Sequence, residues 1–413
     1  MPLNIGFSNK DAANPFAEQL EFFQNKLKLP SSRWDDIMQA AHDRAFVVAG
    51  AAQADLVSDL YGAIENAIQN GTGLDAFRKD FNAIVLKNGW TGWTGEGSKA
   101  GQAWRTRIIY QTNMSTSYAA GRYQQLKSPA MLAIRPYWRY VHADGVAHPR
   151  PLHLAWNGLV LPHDANFWDT HYPPNGWLCH CRVTSADADE YASAQAEGRT
   201  APSDGWNETD PKTGVPVGID KGFGYAPGAN TDTPLADFIG DKLINLNAPV
   251  GAAMYQAMQP VLAAETNAAI DTFVQEVLAD PVKDGRSAVA GAIDPATLDW
   301  LSANTDIEPA TAAIAVPDSL VASNAWSANE WASLPSLLAN PGQVLLNTAN
   351  GKLVYVDAPP DVSPDLQAAR LAVELDCQTE QDKSGPNLLS AALKLLNAAI
   401  ASGLANGLYE AVK

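Results

Sequence analysis

The stretch DGVAHPRPLHLAWNGLVLPHDANFWDTHYPPNGWLCHCRV, residues 144–183, decides how this chain is read. Six of the seven histidines fall between His142 and His180, and two of the three cysteines are Cys179 and Cys181. The segment has almost no helical period, so it lacks the apolar stripe with which a helix builds a core. Zinc suits such a segment: it gathers thiolates and imidazoles into a tetrahedron and supplies the folding energy that a small core cannot. On residue type alone the candidate ligands are His142, His148, His153, His163, His171, His180, Cys179 and Cys181. Two other readings stay open at this point, namely buried free cysteines beside hydrogen-bonded histidines, and a catalytic Cys/His pair. Cys-His-Cys is tighter than the usual two-residue spacing of zinc fingers, and three cysteines make no disulfide framework.

Upstream the chain reads helical. Phe16, Leu20, Phe23 and Leu27 recur at helical spacing after an Asn14-Pro15 start, which suits a cap and first helical position. Ser32 stands before Trp34, Ile37 and Met38 as a second cap. Residues 51–70 and 73–88 predict two more helices, parted by the Asn70-Gly71 break. Residues 89–97, with Trp90 and Trp93, predict a loop. A long helix without proline follows over 99–126, with Ala119, Ala120 and Gly121 small enough for close packing. Residues 135–142 (RPYWRYVH) predict a strand leading into the histidine-rich stretch.

Downstream, residues 197–235 are dense in Gly, Pro, Asp and Thr and predict an extended linker. Residues 237–279 are Ala-rich and helical. The last section predicts a strand, turn and helix over 291–302, a strand over 314–316 and a capped helix over 327–338. A β-hairpin through Asn350-Gly351 and a strand over 370–377 come next, then a closing helix marked by Leu389, Leu393, Leu396 and Ile400. The fold class is α+β and multidomain. Its parts are a helical region (1–130), a strand and His/Cys-rich knot (131–196), a linker with an Ala-rich helical region (197–280) and a small α+β domain (281–413).

Charge is placed unevenly in a chain of 413 residues and net charge −17. Residues 1–130 hold 13 Lys/Arg against 12 Asp/Glu, whereas residues 181–413 hold 12 against 30. Nucleic-acid affinity rests on cations that meet phosphates, so any DNA contact is expected only through the N-terminal region. No uncharged apolar run is long enough for a membrane span, and the first residues lack the basic start and apolar core of a secretory signal. A cytosol-like compartment is expected.

The motifs of residues 144–183 resemble the signature of phage head morphogenesis proteins of the Mu F-like group. They are Asp144, Arg150-Pro151-Leu152-His153, Gly158, Trp168, Pro173-Pro174-Asn175-Gly176 and Cys179-His180-Cys181. The residue between the cysteines is usually Arg in that group; here it is His180, with Arg182 just beyond. HDRAFVVAG (42–50), the segment from Phe77 to Trp90 and YQTNMSTSYAAGR (110–122) resemble the group's N-terminal part, so the likeness covers roughly residues 15–185. It implies His153, Cys179 and Cys181 as zinc ligands, with His171 as the fourth and His148 or His163 as alternatives. It implies a closed structural site shelled by Trp138, Trp156, Trp168 and Trp177, not a catalytic one.

The resemblance further implies a few-copy, non-enzymatic minor head protein in the virion, assembled in the host cytoplasm. Its partners would be portal or major capsid proteins, with a part in DNA packaging or delivery. The C-terminal section resembles, less strongly, a nuclease-type domain of the barnase/EndoU/colicin kind, in LDWLSANTDIEP, NEWASLPSLLANPGQVL and GKLVYV. Such nucleases work through a histidine or a Glu/His pair. No histidine follows His180, and the expected place reads Ala310-Thr311-Ala312-Ala313. A nuclease or toxin-type effector is therefore the alternative, and a packing or binding module the expectation.

Overall fold

The computed structural model describes residues 16–412, apart from 32, 36, 38, 147, 233, 282–283, 358–366 and 379–384. The chain divides into two compact units, Met1–Asp232 and Thr233–Lys413. Both helix and strand build it, as an α+β chain should.

The first unit begins with α1 (Ala17–Gln24), β1 (Leu27–Lys28), α2 (Ala41–Arg44) and β2 (Ala45–Phe46). The apolar run from Phe16 to Leu27 thus splits: Leu27 leaves the helix and pairs in parallel with Ala45. Trp34 lies in a turn and Ile37 in a bend, not in a second helix. The Asn14-Pro15 start and the Ser32 cap, with Met38, lie outside the described residues. Next come α3 (Ala54–Asn70) and α4 (Leu74–Asn88), joined through Asn70-Gly71, then α5 (Lys99–Lys127) and α6 (Pro129–Ile134). Helix α3 buries Leu56, Leu60, Ile64 and Ala67 at the spacing of one helical face. Phe81 of α4 meets Trp90 and Trp93 of the following loop, with ring centroids 6.0 and 5.3 Å away.

Helix α5 starts on a Ser98 cap that accepts the Gly101 N–H at 3.0 Å and serves two cores. Its Ile109 joins Phe23, Phe46, Tyr61, Phe77 and Phe81. Its Ala119 and Leu126 join the core around Trp138 and Trp156. Helix α1 crosses α5 at Gly121, where a Cβ would stand 2.7 Å from the Gln19 nitrogen. The small residues of 119–121 permit that approach.

Then come β3 (Tyr137–Val141), α7 (Pro151–Ala155), β4 (Val160–Pro162), α8 (Phe167–His171), β5 (Arg182–Ala186) and α9 (Ala188–Ala196). The strands form an antiparallel sheet in the order β4-β3-β5, with Trp138 opposite Leu161 and Ser185. Alternation along β3 turns Trp138 and Tyr140 fully inward. Residues 197–232 hold no helix or ladder strand, yet they are more than a linker: Val215, Ile219 and Phe223 enter the same core. The expected boundaries after residues 130 and 196 therefore fall inside the first unit.

The second unit opens with α10 (Leu235–Asn245) and α11 (Ala248–Ala279), the latter capped by Asn247 at the Val250 N–H, 3.1 Å. It continues with β6 (Ser287–Ala292), α12 (Pro295–Asn304), β7 (Ala313–Pro317), α13 (Asp318–Ser323), α14 (Ala328–Ala332) and α15 (Leu334–Ala339). The single helix expected over 327–338 becomes two. A Ser327/Glu330 capping box starts α14, and Pro335, which has no N–H, sits in the first turn of α15. The rest is β8 (Gln343–Asn347), β9 (Lys352–Val356), β10 (Ala369–Asp376), β11 (Asn387–Leu396), α16 (Asn397–Asn406) and β12 (Tyr409–Ala411). Seven strands lie in the order β12-β8-β9-β10-β11-β7-β6, all antiparallel neighbours except β11 and β7.

The closing helix expected from Leu389, Leu393 and Leu396 is a correction. Residues 387–396 form β11, inserted between β10 and β7, and only 397–406 are helical. The register shifts between Glu374 and Leu375, where they meet Ala391 and Leu389. That bulge changes which side chains face inward and leaves the apolar residues at helix-like intervals. Among the described residues no helix is long and apolar enough to cross a membrane.

Asn387 holds β11 to β7. Its Nδ2 donates to Thr311 O at 2.7 Å and Ala313 O at 2.9 Å, and its Oδ1 accepts the Gln378 N–H at 2.8 Å. Asn387 is fully buried, so Asn387→Ala leaves these groups unpaired. Urea unfolding of the variant should show a loss of about 1–3 kcal/mol or more; an unchanged midpoint would contradict this role.

Candidate metal centre

Pro151 starts α7 and brings His153 into the core, 2 % exposed. The His153 Nε2–H donates to Gly218 O at 2.9 Å. That bond assigns the proton to Nε2 and turns the Nδ1 lone pair to the cysteines. Nδ1 lies 3.6 Å from Cys179 Sγ and 3.8 Å from Cys181 Sγ. A tetrahedral zinc, with sulfur at about 2.3 Å and nitrogen at about 2.05 Å, sets N and S roughly 3.5 Å apart. The trio, its donor atoms within 4.8 Å of one another, thus fits one such ion with little adjustment. The Gly218 carbonyl is the outer partner that metal-bound imidazoles commonly have.

The cysteine loop is held from two sides. The Tyr140 hydroxyl donates to Asn175 Oδ1 at 2.9 Å, and the Cys179 N–H reaches Gly176 O at 3.1 Å. Asp220 Oδ2 accepts from the Trp177 N–H at 2.9 Å and from Arg150 at 2.7 Å. Arg150 in turn donates to Trp177 O at 3.0 Å. Gly176 runs so close to this pair that a Cβ would collide with the Asp220 carboxylate. The peptide between Pro173 and Pro174 is cis.

The two thiols share one proton unequally. The hydrogen bond from the Cys179 thiol outweighs burial and lowers Cys181 to about 3. The same Cys179–Cys181 bond, with burial, pushes Cys179 up. A lowered thiol favours the thiolate, the form in which cysteine ligates a metal.

His171, expected as the fourth ligand, is not part of this donor group. It is fully buried, accepts the Thr170 hydroxyl at Nδ1 (2.8 Å) and stacks on Phe167 with centroids 4.5 Å apart. Trp156 touches both histidines, stacked on His153 and edge-on to His171. Of the other candidates, His148 and His180 are exposed, His163 is half-buried beside Trp138, and His142 is buried on the strand's end. Trp138, Trp156 and Trp168 form the expected apolar shell, whereas Trp177 is 38 % exposed. Sequence reasoning missed Gly218 and Asp220, which lie in the Gly/Pro-dense stretch and belong to no motif.

A family model described as Phage Mu protein F like protein matches residues 58–184, a span that includes all three donors. The "Mu-like prophage FluMu F protein" of Haemophilus influenzae is 30 % identical over 364 residues, covering 78 % of this chain and 86 % of the relative. The chain belongs to the phage Mu F-like family. The "Putative capsid assembly protein F" of Escherichia phage Mu is 27 % identical over 428 residues, 94 % of each chain. No solved structure matches the chain.

Burial lowers the His171 pKa from 6.5 to about 4. Between those values the unfolded chain takes a proton that the folded one refuses, so this group's stabilisation falls as pH falls from 6.5 to 4. Relative to His171→Phe, the wild type should lose up to about 3 kcal/mol across that window. Guanidinium unfolding of chelator-treated protein at stepped pH measures the difference; parallel curves would refute it.

Proposed function

We propose that this protein is a minor head protein of a tailed phage, acting in capsid assembly at the portal or head interior. The observation that carries the reading is the end-to-end likeness to the capsid assembly protein F of phage Mu, 94 % of both chains. Portal or major capsid proteins are its partners, and DNA packaging or delivery is the step it serves. Any DNA contact runs through the charge-balanced N-terminal region.

A structural zinc belongs to this proposal. His153 Nδ1, Cys179 Sγ and Cys181 Sγ hold it, and it ties α7 to the loop before β5. Tetrahedral zinc needs a fourth donor. His171 was the choice from the motif, but it lies outside the group of three donors: its Nδ1 meets the Thr170 hydroxyl, and its buried Nε2 has no hydrogen-bond partner among the described residues. Solvent or another side chain completes the shell.

The second unit acts as a packing or binding module. The place where a nuclease histidine would stand is interior: Thr311, Ala312 and Ala313 are buried, and the Thr311 hydroxyl donates to Leu243 O at 2.6 Å. That position has neither a proton-transfer group nor access to substrate.

Purified protein should carry about one zinc per chain by elemental analysis, as a single tetrahedral site requires. Cys179→Ser and Cys181→Ser should each lose the metal and lower the melting temperature. His171→Phe should keep it; loss of zinc there would restore His171 to the ligand set. Zinc-free wild-type protein that melts unchanged would defeat the structural centre. Cross-linking in assembled heads should recover portal or major capsid protein, and cross-links to tail proteins alone would defeat the assembly role.

A further inference from the structure

A cleft of about 110 Å³ opens in the first unit beside α5. Among the described residues its walls include Lys26, His42 and Arg105 and no Asp or Glu, and Lys26 stands beside the buried carboxylate of Asp43. Arg105 is the anomaly. It is 7 % exposed, makes one hydrogen bond, to Ala49 O at 2.5 Å, and leaves its Nε without a partner. Among the described residues no carboxylate pairs with it. A buried guanidinium has five N–H donors to satisfy, and folded chains seldom leave such a charge unpaired. The rest of the wall is apolar, with Val47, Val48, Ile108 and Ile109. Trp34 and Trp177 belong to the same lining, 44 % and 38 % exposed and edge-to-face at 6.5 Å.

We propose that this cleft captures the C-terminal residue of a partner polypeptide, with the terminal carboxylate on Arg105 and an apolar side chain between the aliphatic wall and the two tryptophans. Charge complementarity selects the anion: among the described residues no carboxylate answers Arg105, whereas Asp43 already answers Lys26. Size selects an end residue, since an open cleft of about 110 Å³ has room for one side chain and not for a length of chain. Capture of a chain's carboxylate end is a recurrent mode of peptide recognition. A nucleic-acid backbone fits poorly, because its binding spreads over many cations along an open surface. Trp177 connects the cleft to the metal centre, since it lies two residues before Cys179 and is held by Asp220 and Arg150. The identity of the polypeptide as a head component rests on the assembly role; the chemistry of the cleft does not.

The test uses the full chain and three probes: N-acetyl-leucine, its amide and inorganic phosphate, read by tryptophan fluorescence. N-acetyl-leucine should saturate the signal at millimolar concentration, with the amide and phosphate at least tenfold weaker. Arg105→Gln should remove binding of the acid, and Arg105→Lys should retain part of it. Should Arg105→Gln fail to fold, the exposed-site variant Trp34→Ala should weaken the acid at least fivefold with an unchanged melting temperature, read by chemical shifts. Equal binding of acid and amide, or binding indifferent to both residues, would overturn the proposal. Phosphate or a short single-stranded oligonucleotide competing on equal terms would overturn it in favour of a nucleic-acid site. Zinc content, measured in the same samples, separates this outcome from failure of the metal centre.

Discussion

Asp220 receives two donors on one oxygen, the Trp177 N–H and the Arg150 guanidinium, and so fixes a loop 43 residues upstream. Both side chains are about one-third exposed, so the ion pair contributes little as a simple Coulomb term. Its importance is geometric. It sets where residues 175–177 run, and with them where Cys179 and Cys181 stand relative to His153. Two residues before Asp220, Gly218 offers its carbonyl to the same histidine. One irregular segment thus orients both halves of the donor set.

Helix α5 is the second constraint. Its 29 residues are too polar on average to form one continuous apolar stripe, and they contribute instead to two different cores. The first core sets the aliphatic face of α3 against aromatic residues of α1, β2, α4 and the Trp90–Trp93 loop. The second is a nest of tryptophan and tyrosine edges around β3, with Trp138 meeting Tyr123, Trp168 and Tyr172 at 5.5–5.7 Å. Such edge-to-face contacts add directionality to burial, which suits a region where regular ladders are few.

Much of this was legible in the sequence where a local rule governs. Helices α3, α4 and α5 follow from periodicity and from the Asn70-Gly71 break. Strand β3 and the β8–β9 hairpin follow from alternation and turn chemistry. The trio of His153, Cys179 and Cys181 was implied by the resemblance to the Mu F-like group, and residue type alone left eight candidates. What was not legible depended on distant partners. Strand β11 has leucines at helical intervals, yet neighbours on both sides and a bulge make it a strand. His171 has the right residue type and a plausible spacing, but the fold sets its ring outside the group of three donors. Asp220 and Gly218 are silent in sequence, because nothing near them in the chain shows what they will touch.

The stretch after residue 196 has the composition of a spacer and the duties of a wall. Val215, Ile219 and Phe223 complete the aromatic core, and Asp43 accepts the N–H groups of Gly228 and Asn230 at 2.9 and 3.1 Å. The segment matched by the family model, 58–184, therefore does not coincide with a piece that could be cut out. Excised at those limits it would lose β1, β2, the Val215, Ile219 and Phe223 side of the aromatic core and the Gly218 carbonyl that meets its histidine. The compact unit that carries the His153, Cys179 and Cys181 group extends to the division at residues 232 and 233, nearly fifty residues beyond the last recognisable motif.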